Sequence, residues 1–133
     1  MAYFKNLLLL DDEEIDNMMH VFWAKQFNLA ENILQFTNPE TAKAYIQENG
    51  FGQAGDLMIV DIHLPLMSGL DFLEDFFSSN HSTEKEGMIY VLTSSISQRD
   101  SQRARNLPIS GFLTKPLHEI HIKQIIEKLE PGV

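Results

Sequence analysis

Three aspartates, a threonine and a lysine stand directly behind short apolar runs. Asp11 and Asp12 end Leu7-Leu8-Leu9-Leu10, Asp61 ends Leu57-Met58-Ile59-Val60, and Thr93 ends Met88 to Leu92. Lys115 follows Gly111-Phe112-Leu113 after one intervening residue. Apolar runs of this length without alternation fit strands buried on both faces of a parallel sheet. Ligands of such sheets bind beyond the carboxyl ends of the strands, so neighbouring strands would bring these five side chains to one edge. Two carboxylates about 4 Å apart repel by roughly 4 kcal/mol at an effective dielectric of 20. Three of them either bind a cation or raise one pKa. All-oxygen donors without His or Cys favour a hard ion, Mg²⁺ over Zn²⁺. A carboxylate beside Mg²⁺ and a lysine is also placed to attack phosphorus, with both cations neutralising the transferring oxygens.

Each residue alone has a plainer reading. An Asp at a strand end is commonly a turn residue, and Asp12 is placed to cap the first helix. Thr93 alone reads as a turn residue and Lys115 as a solvated charge. Their joint occurrence behind four strands favours a built site.

The elements that must position them alternate. A further short run, Ile33 to Phe36, supplies the remaining strand, followed by Thr37 and no charge. In the first helical segment Ile15, Met18, Met19 and Phe22 share one face, which predicts the core stripe. Val21 and Trp23 flank it by about 100° on either side. Asn38 caps the second helix, with Pro39 at its first position. Ser68-Gly69-Leu70-Asp71 has the spacing of a capping box, with Leu70, Leu73, Phe76 and Phe77 behind it. The fourth segment, Ser97 to Asn106, is polar and offers only Ala104 and Leu107 to a core. The last, from Leu117, places Ile122, Ile125, Ile126 and Leu129 together. Five strand–helix alternations predict an α/β fold with helices on both sides of a parallel sheet.

Composition agrees. A chain of 133 residues, 44% hydrophobic and 22% charged, has the size and make-up of one globular domain. The formal charge of −9 argues against direct nucleic-acid binding and against an anionic membrane. The absence of cysteine removes disulfides and thiolate metal sites and fits a reducing, cytoplasmic setting. No apolar stretch reaches membrane-spanning length. His118 and His121 share a face of the last helix, but no third ligand is apparent. His20 and His81 read as surface residues, and residues 78–87 as the longest polar connection.

Taken together, these blocks make the chain similar to a two-component response-regulator receiver domain of the stand-alone, CheY-like type. The blocks are Leu9 to Glu14, Ile59 to Gly69, Leu92 to Ser95, and Gly111 to Leu117. The resemblance spans about residues 6–129 of a single domain over 1–133, with no output domain expected in this chain. It implies a five-stranded sheet of order 2-1-3-4-5 flanked by five helices, the flavodoxin-like, doubly wound arrangement. It implies that Asp61 accepts a phosphoryl group from a phosphohistidine on a sensor histidine kinase or histidine phosphotransfer protein. Asp12 and Asp61 would ligate Mg²⁺ directly, Asp11 through water, and His63 through its backbone carbonyl. Lys115 would pair with Asp61 and then with a phosphoryl oxygen. Thr93 and Phe112 would form the switch, and Lys115–Pro116 would be cis. The domain would catalyse only its own phosphorylation and dephosphorylation, and would signal to an unknown downstream protein as a monomer, with a dimer the alternative.

Some expectations concern surfaces. His63 and Ser95 would flank the path of hydrolytic water. The first helix and the loop after the fifth strand commonly dock the kinase's helical domain in this family. Arg99, Arg103 and Arg105 form the one basic patch, a candidate output face. Two rival classes fit less well. A haloacid-dehalogenase-type phosphohydrolase needs an acid where His63 stands, and a flavodoxin needs a hydroxyl- and Gly-rich loop where Asp11 to Glu14 would repel phosphate. A receiver-like module that is never phosphorylated is the third alternative, disfavoured by the complete site.

Overall fold

The computed structural model describes residues 2–52, 55–78, 87–94 and 97–129. His81, Ser95 and most of the polar connection after residue 78 lie outside the described residues. Strands β1 (Phe4–Leu10), β2 (Ala30–Phe36), β3 (Leu57–Asp61), β4 (Met88–Thr93) and β5 (Gly111–Thr114) alternate with five helices. These are α1 (Glu14–Gln26), α2 (Pro39–Asn49), α3 (Gly69–Ser78), α4 (Gln98–Arg105) and α5 (Glu119–Leu129). The strands pair in parallel in the order β2-β1-β3-β4-β5, as expected. Among the described residues no helix is long and apolar enough to cross a membrane.

Two cores follow from the alternation of strand side chains. On one face Leu8, Leu10, Met58, Val60, Ile89 and Val91 pack against α2, α3 and α4. On the other Leu7, Leu9, Leu57, Ile59, Tyr90 and Leu92 meet α1 and α5. The central strands β1, β3 and β4 are covered on both faces, which explains their unbroken apolar runs. β2, on the edge, is only partly buried.

Local signals behave as their chemistry dictates. Asn38 Oδ1 accepts the Thr41 N–H at 2.9 Å, capping α2 behind Pro39. Ser68 and Asp71 form a reciprocal capping box, Asp71 N to Ser68 Oγ at 3.1 Å and Ser68 N to Asp71 Oδ2 at 3.2 Å. Ser97 caps α4, of which Ala104 alone is fully buried.

The face that α1 turns inward differs from the expectation. Ile15, Met18, Met19 and Phe22 are exposed, Ile15 at 75% and Met18 at 67%. Asn17, His20 and Ala24 are buried instead, and Val21 and Trp23 pack at the margin of the α1/α5 core. His20, read from sequence as a surface residue, is 2% exposed. The physical reason lies at the end of β1, where α1 starts directly over Asp11 and meets the acid edge with polar side chains.

Candidate functional site

All five side chains singled out in the sequence stand at the carboxyl edge of the sheet. Asp11 prolongs β1, its N–H donating to the Phe36 carbonyl at 3.1 Å. Its Oδ1 accepts the Glu13 N–H at 2.9 Å, and its carbonyl accepts Asn17 Nδ2 at 2.8 Å. Glu13, not Asp12, is the N-terminal cap residue of α1, and Asp12 stays exposed at the rim. Asp61 ends β3 and is 2% exposed. Its Oδ1 accepts the His63 N–H at 3.1 Å and its Oδ2 accepts from Lys115 Nζ at 3.0 Å.

The turn after Asp61 is tight. His63 bridges Ser68 in antiparallel fashion, and Gly69 N donates to the Ile62 carbonyl at 2.7 Å. A Cβ on Gly69 would stand 2.2 Å from the Asp61 carbonyl oxygen, so only glycine fits this close approach. Thr93 ends β4, buried and in register with Thr114, and its carbonyl accepts the Lys115 N–H at 2.8 Å. The Lys115–Pro116 bond is cis, as the resemblance implied. Phe112, opposite Val91 on β5, is 37% exposed.

Lys115 is the electrostatic centre of this edge. Its ammonium lies 2.8 Å from Asp16 Oδ2, 3.0 Å from Asp61 Oδ2 and 3.1 Å from Asp11 Oδ2. Burial works against its charge, but the hydrogen bonds to Asp16 and Asp61 and the neighbouring Asp11 charge outweigh burial and raise its pKa. Asp61 is shifted the other way from a simple ion pair. Burial raises its pKa, the His63 N–H and Lys115 only partly offset this, and the Asp11 charge reinforces it. Lys115 is thus one ammonium among the three carboxylates of Asp11, Asp16 and Asp61. Asp11, Asp12 and Asp61 each offer one carboxylate oxygen, all within 4.8 Å of one another. An all-oxygen set of this kind suits Mg²⁺.

Sequence reading missed two α1 side chains at this edge. Asp16 reaches Lys115, and His20 Nε2 stands 4.0 Å from Asp11 Oδ2 with its pKa lowered by burial. The available signal was helical spacing, since residues 16 and 20 lie one turn apart; the apolar stripe beside them was the stronger pattern.

Of two other features, the histidine pair keeps its reading and the basic patch changes. His118 N–H donates to His121 Nδ1 at 3.0 Å, and His121 Nε2 meets Thr114 Oγ1 at 3.3 Å, so both ring nitrogens of His121 are engaged within the protein. This fits no metal pair. Arg103 is not part of a free basic patch, because it bonds Asp71 at 2.6 Å and Glu74 at 2.8 Å on α3.

Comparison with known proteins bears on this geometry. A family model described as the response regulator receiver domain matches residues 7–127. Comparison with curated proteins gives no significant match. Among solved structures, the chain is similar to the chemotaxis protein CheY4 of Vibrio cholerae at 18% identity and a TM-score of 0.76, covering 95% of this chain and 98% of that one. A two-component response regulator from Cytophaga hutchinsonii gives 20% identity and a TM-score of 0.83, covering 97% and 98%. The receiver domain of Ssk1 from Saccharomyces cerevisiae, co-crystallised with the histidine phosphotransfer protein Ypd1, gives 22% and 0.73, covering 97% and 90%.

Proposed function

The chain belongs to the response regulator receiver domain family of two-component signalling, and from that premise we propose that it is a switch driven by phosphorylation of Asp61. The observation that carries this reading is the Lys115 ammonium hydrogen-bonded to the buried Asp61 carboxylate beside Asp11 and Asp12. Asp11, Asp12 and Asp61, with the His63 backbone carbonyl, would hold Mg²⁺. Bound there, Mg²⁺ would neutralise the carboxylates and the oxygens of the incoming phosphoryl group.

The protein's own groups account for the rest. An Asp61 carboxylate oxygen attacks phosphorus of a phosphohistidine, a P–O bond forms, and the P–N bond breaks to release the imidazole of the donor. The raised pKa of Asp61 marks a carboxylate that is poorly solvated and gains by passing charge to a phosphoryl group with cationic partners. Lys115 then pairs with a phosphoryl oxygen. Thr93, linked to Lys115 through its carbonyl, turns its hydroxyl toward another, and Phe112 follows. The chain catalyses this change only on itself and passes the signal to a downstream protein.

The exposed Ile15, Met18, Met19 and Phe22 face of α1, beside Asp16 and Lys115, is the docking surface for a helical phosphodonor. Two observations support this: these apolar side chains are exposed, Phe22 meeting the edge of Trp23 on the same helix, and the Ssk1 receiver was co-crystallised with a histidine phosphotransfer protein. A cytoplasmic location and a single domain over residues 1–133 belong to the same reading. Its test is Mg²⁺-dependent labelling from a small acyl phosphate, mapped by peptide analysis. Label on Asp61, lost with a chelator, is expected; label elsewhere or none contradicts it.

A further inference from the structure

We propose that Asp16 is a positioning residue that tethers the Lys115 ammonium on both sides of the phosphorylation step. The inference rests on the reading of Asp61 as phosphoacceptor and adds a residue that this reading does not require. Lysine offers three N–H donors, and three carboxylates surround Lys115: Asp16 at 2.8 Å, Asp61 at 3.0 Å and Asp11 at 3.1 Å. Two of these partners are committed elsewhere. Asp61 is the group that reacts, and Asp11 stands within the three-carboxylate set that would face a cation. Asp16 takes part in neither. It projects from the first turn of α1, has its side chain 30% exposed, and makes the shortest of the three contacts. It is thus the one partner of Lys115 that neither accepts the phosphoryl group nor belongs to the cation-facing set.

A lysine stem has four flexible bonds, and when Asp61 becomes an acyl phosphate its ammonium must find a phosphoryl oxygen without leaving the pocket. A hydrogen bond from α1 confines that search. Asp16 also adds a negative charge, which would act against an anionic donor. The two effects predict opposite results on substitution, and the short, charge-assisted geometry makes confinement the larger.

The experiment compares wild type with Asp16→Ala and Asp16→Asn, the latter keeping an oxygen acceptor. In ¹⁵N-lysine NMR of the unphosphorylated protein, the Lys115 ammonium should be ordered in wild type, mobile in Asp16→Ala and largely reordered in Asp16→Asn. Phosphorylation by acetyl phosphate with Mg²⁺ should slow about ten-fold in Asp16→Ala, and Asp16→Asn should recover most of that loss. An equally ordered ammonium in Asp16→Ala overturns the tether, and so does a faster rate in both variants. Failure of wild type to react at all overturns the reading of Asp61, while the NMR comparison still decides the tether.

Discussion

Gly69 presses against the backbone of Asp61 so closely that a methyl group there would stand 2.2 Å from the Asp61 carbonyl oxygen. The contact lets α3 begin directly beneath the end of β3 and fixes where the Asp61 carboxylate points. Gly69→Ala must displace backbone rather than a flexible side chain. It should destabilise the fold by about 1–3 kcal/mol, the usual range for overpacking. Urea unfolding measures this; an unchanged midpoint would mean that the turn adapts freely.

The outward face of α1 separates docking from chemistry. Met18→Glu with Phe22→Glu changes exposed side chains and should leave thermal stability and reaction with acetyl phosphate intact. Transfer from a phosphorylated histidine phosphotransfer protein should fall by ten-fold or more, since interface anchors cost about 1–2 kcal/mol or more each. Equal transfer rates in wild type and variant would remove α1 from the interface.

His63 supplies its N–H to Asp61, while its own side chain is exposed. If its bulk shields the acyl phosphate from water, His63→Ala should shorten the phosphoryl lifetime several-fold with the backbone bond retained. Decay at the wild-type rate would assign His63 a backbone role alone.

His121 makes stability depend on pH. Its Nδ1 accepts the His118 N–H, so protonation would set two hydrogens against each other. Burial, and then the neighbouring His118, lower its pKa from 6.5. The unfolded chain therefore binds more protons at mildly acidic pH. This contribution is fully present above the unfolded value and fades as pH falls toward the folded pKa. Thermal midpoints should drop from pH 7.5 to about 5, less steeply in His121→Gln. Parallel curves for the two proteins would count against this account.

The sheet and its acid edge were legible because each rests on a local pattern. Unbroken apolar runs mark strands covered on both faces, and a charge ending such a run marks the carboxyl edge. The capping box at Ser68 and the cap at Asn38 located two helix starts. α1 misled for a physical reason. Amphipathicity reports where apolar side chains cluster, and it identifies the core only when the core is what they meet. Here the apolar stripe faces outward, while Asn17 and His20 lie inward against Asp11. Asp16 was hidden similarly, because its partner Lys115 is 99 residues away. Arg103 looked like part of a basic patch until the fold brought Asp71 and Glu74 alongside it.

The central claim is that Asp61 accepts a phosphoryl group, and intact mass measurement tests it most directly. Wild type incubated with acetyl phosphate and Mg²⁺ should gain the mass of one phosphoryl group, and Asp61→Asn should gain none. A wild-type protein that stays unmodified, or an Asp61→Asn variant modified to the same extent, would contradict the account.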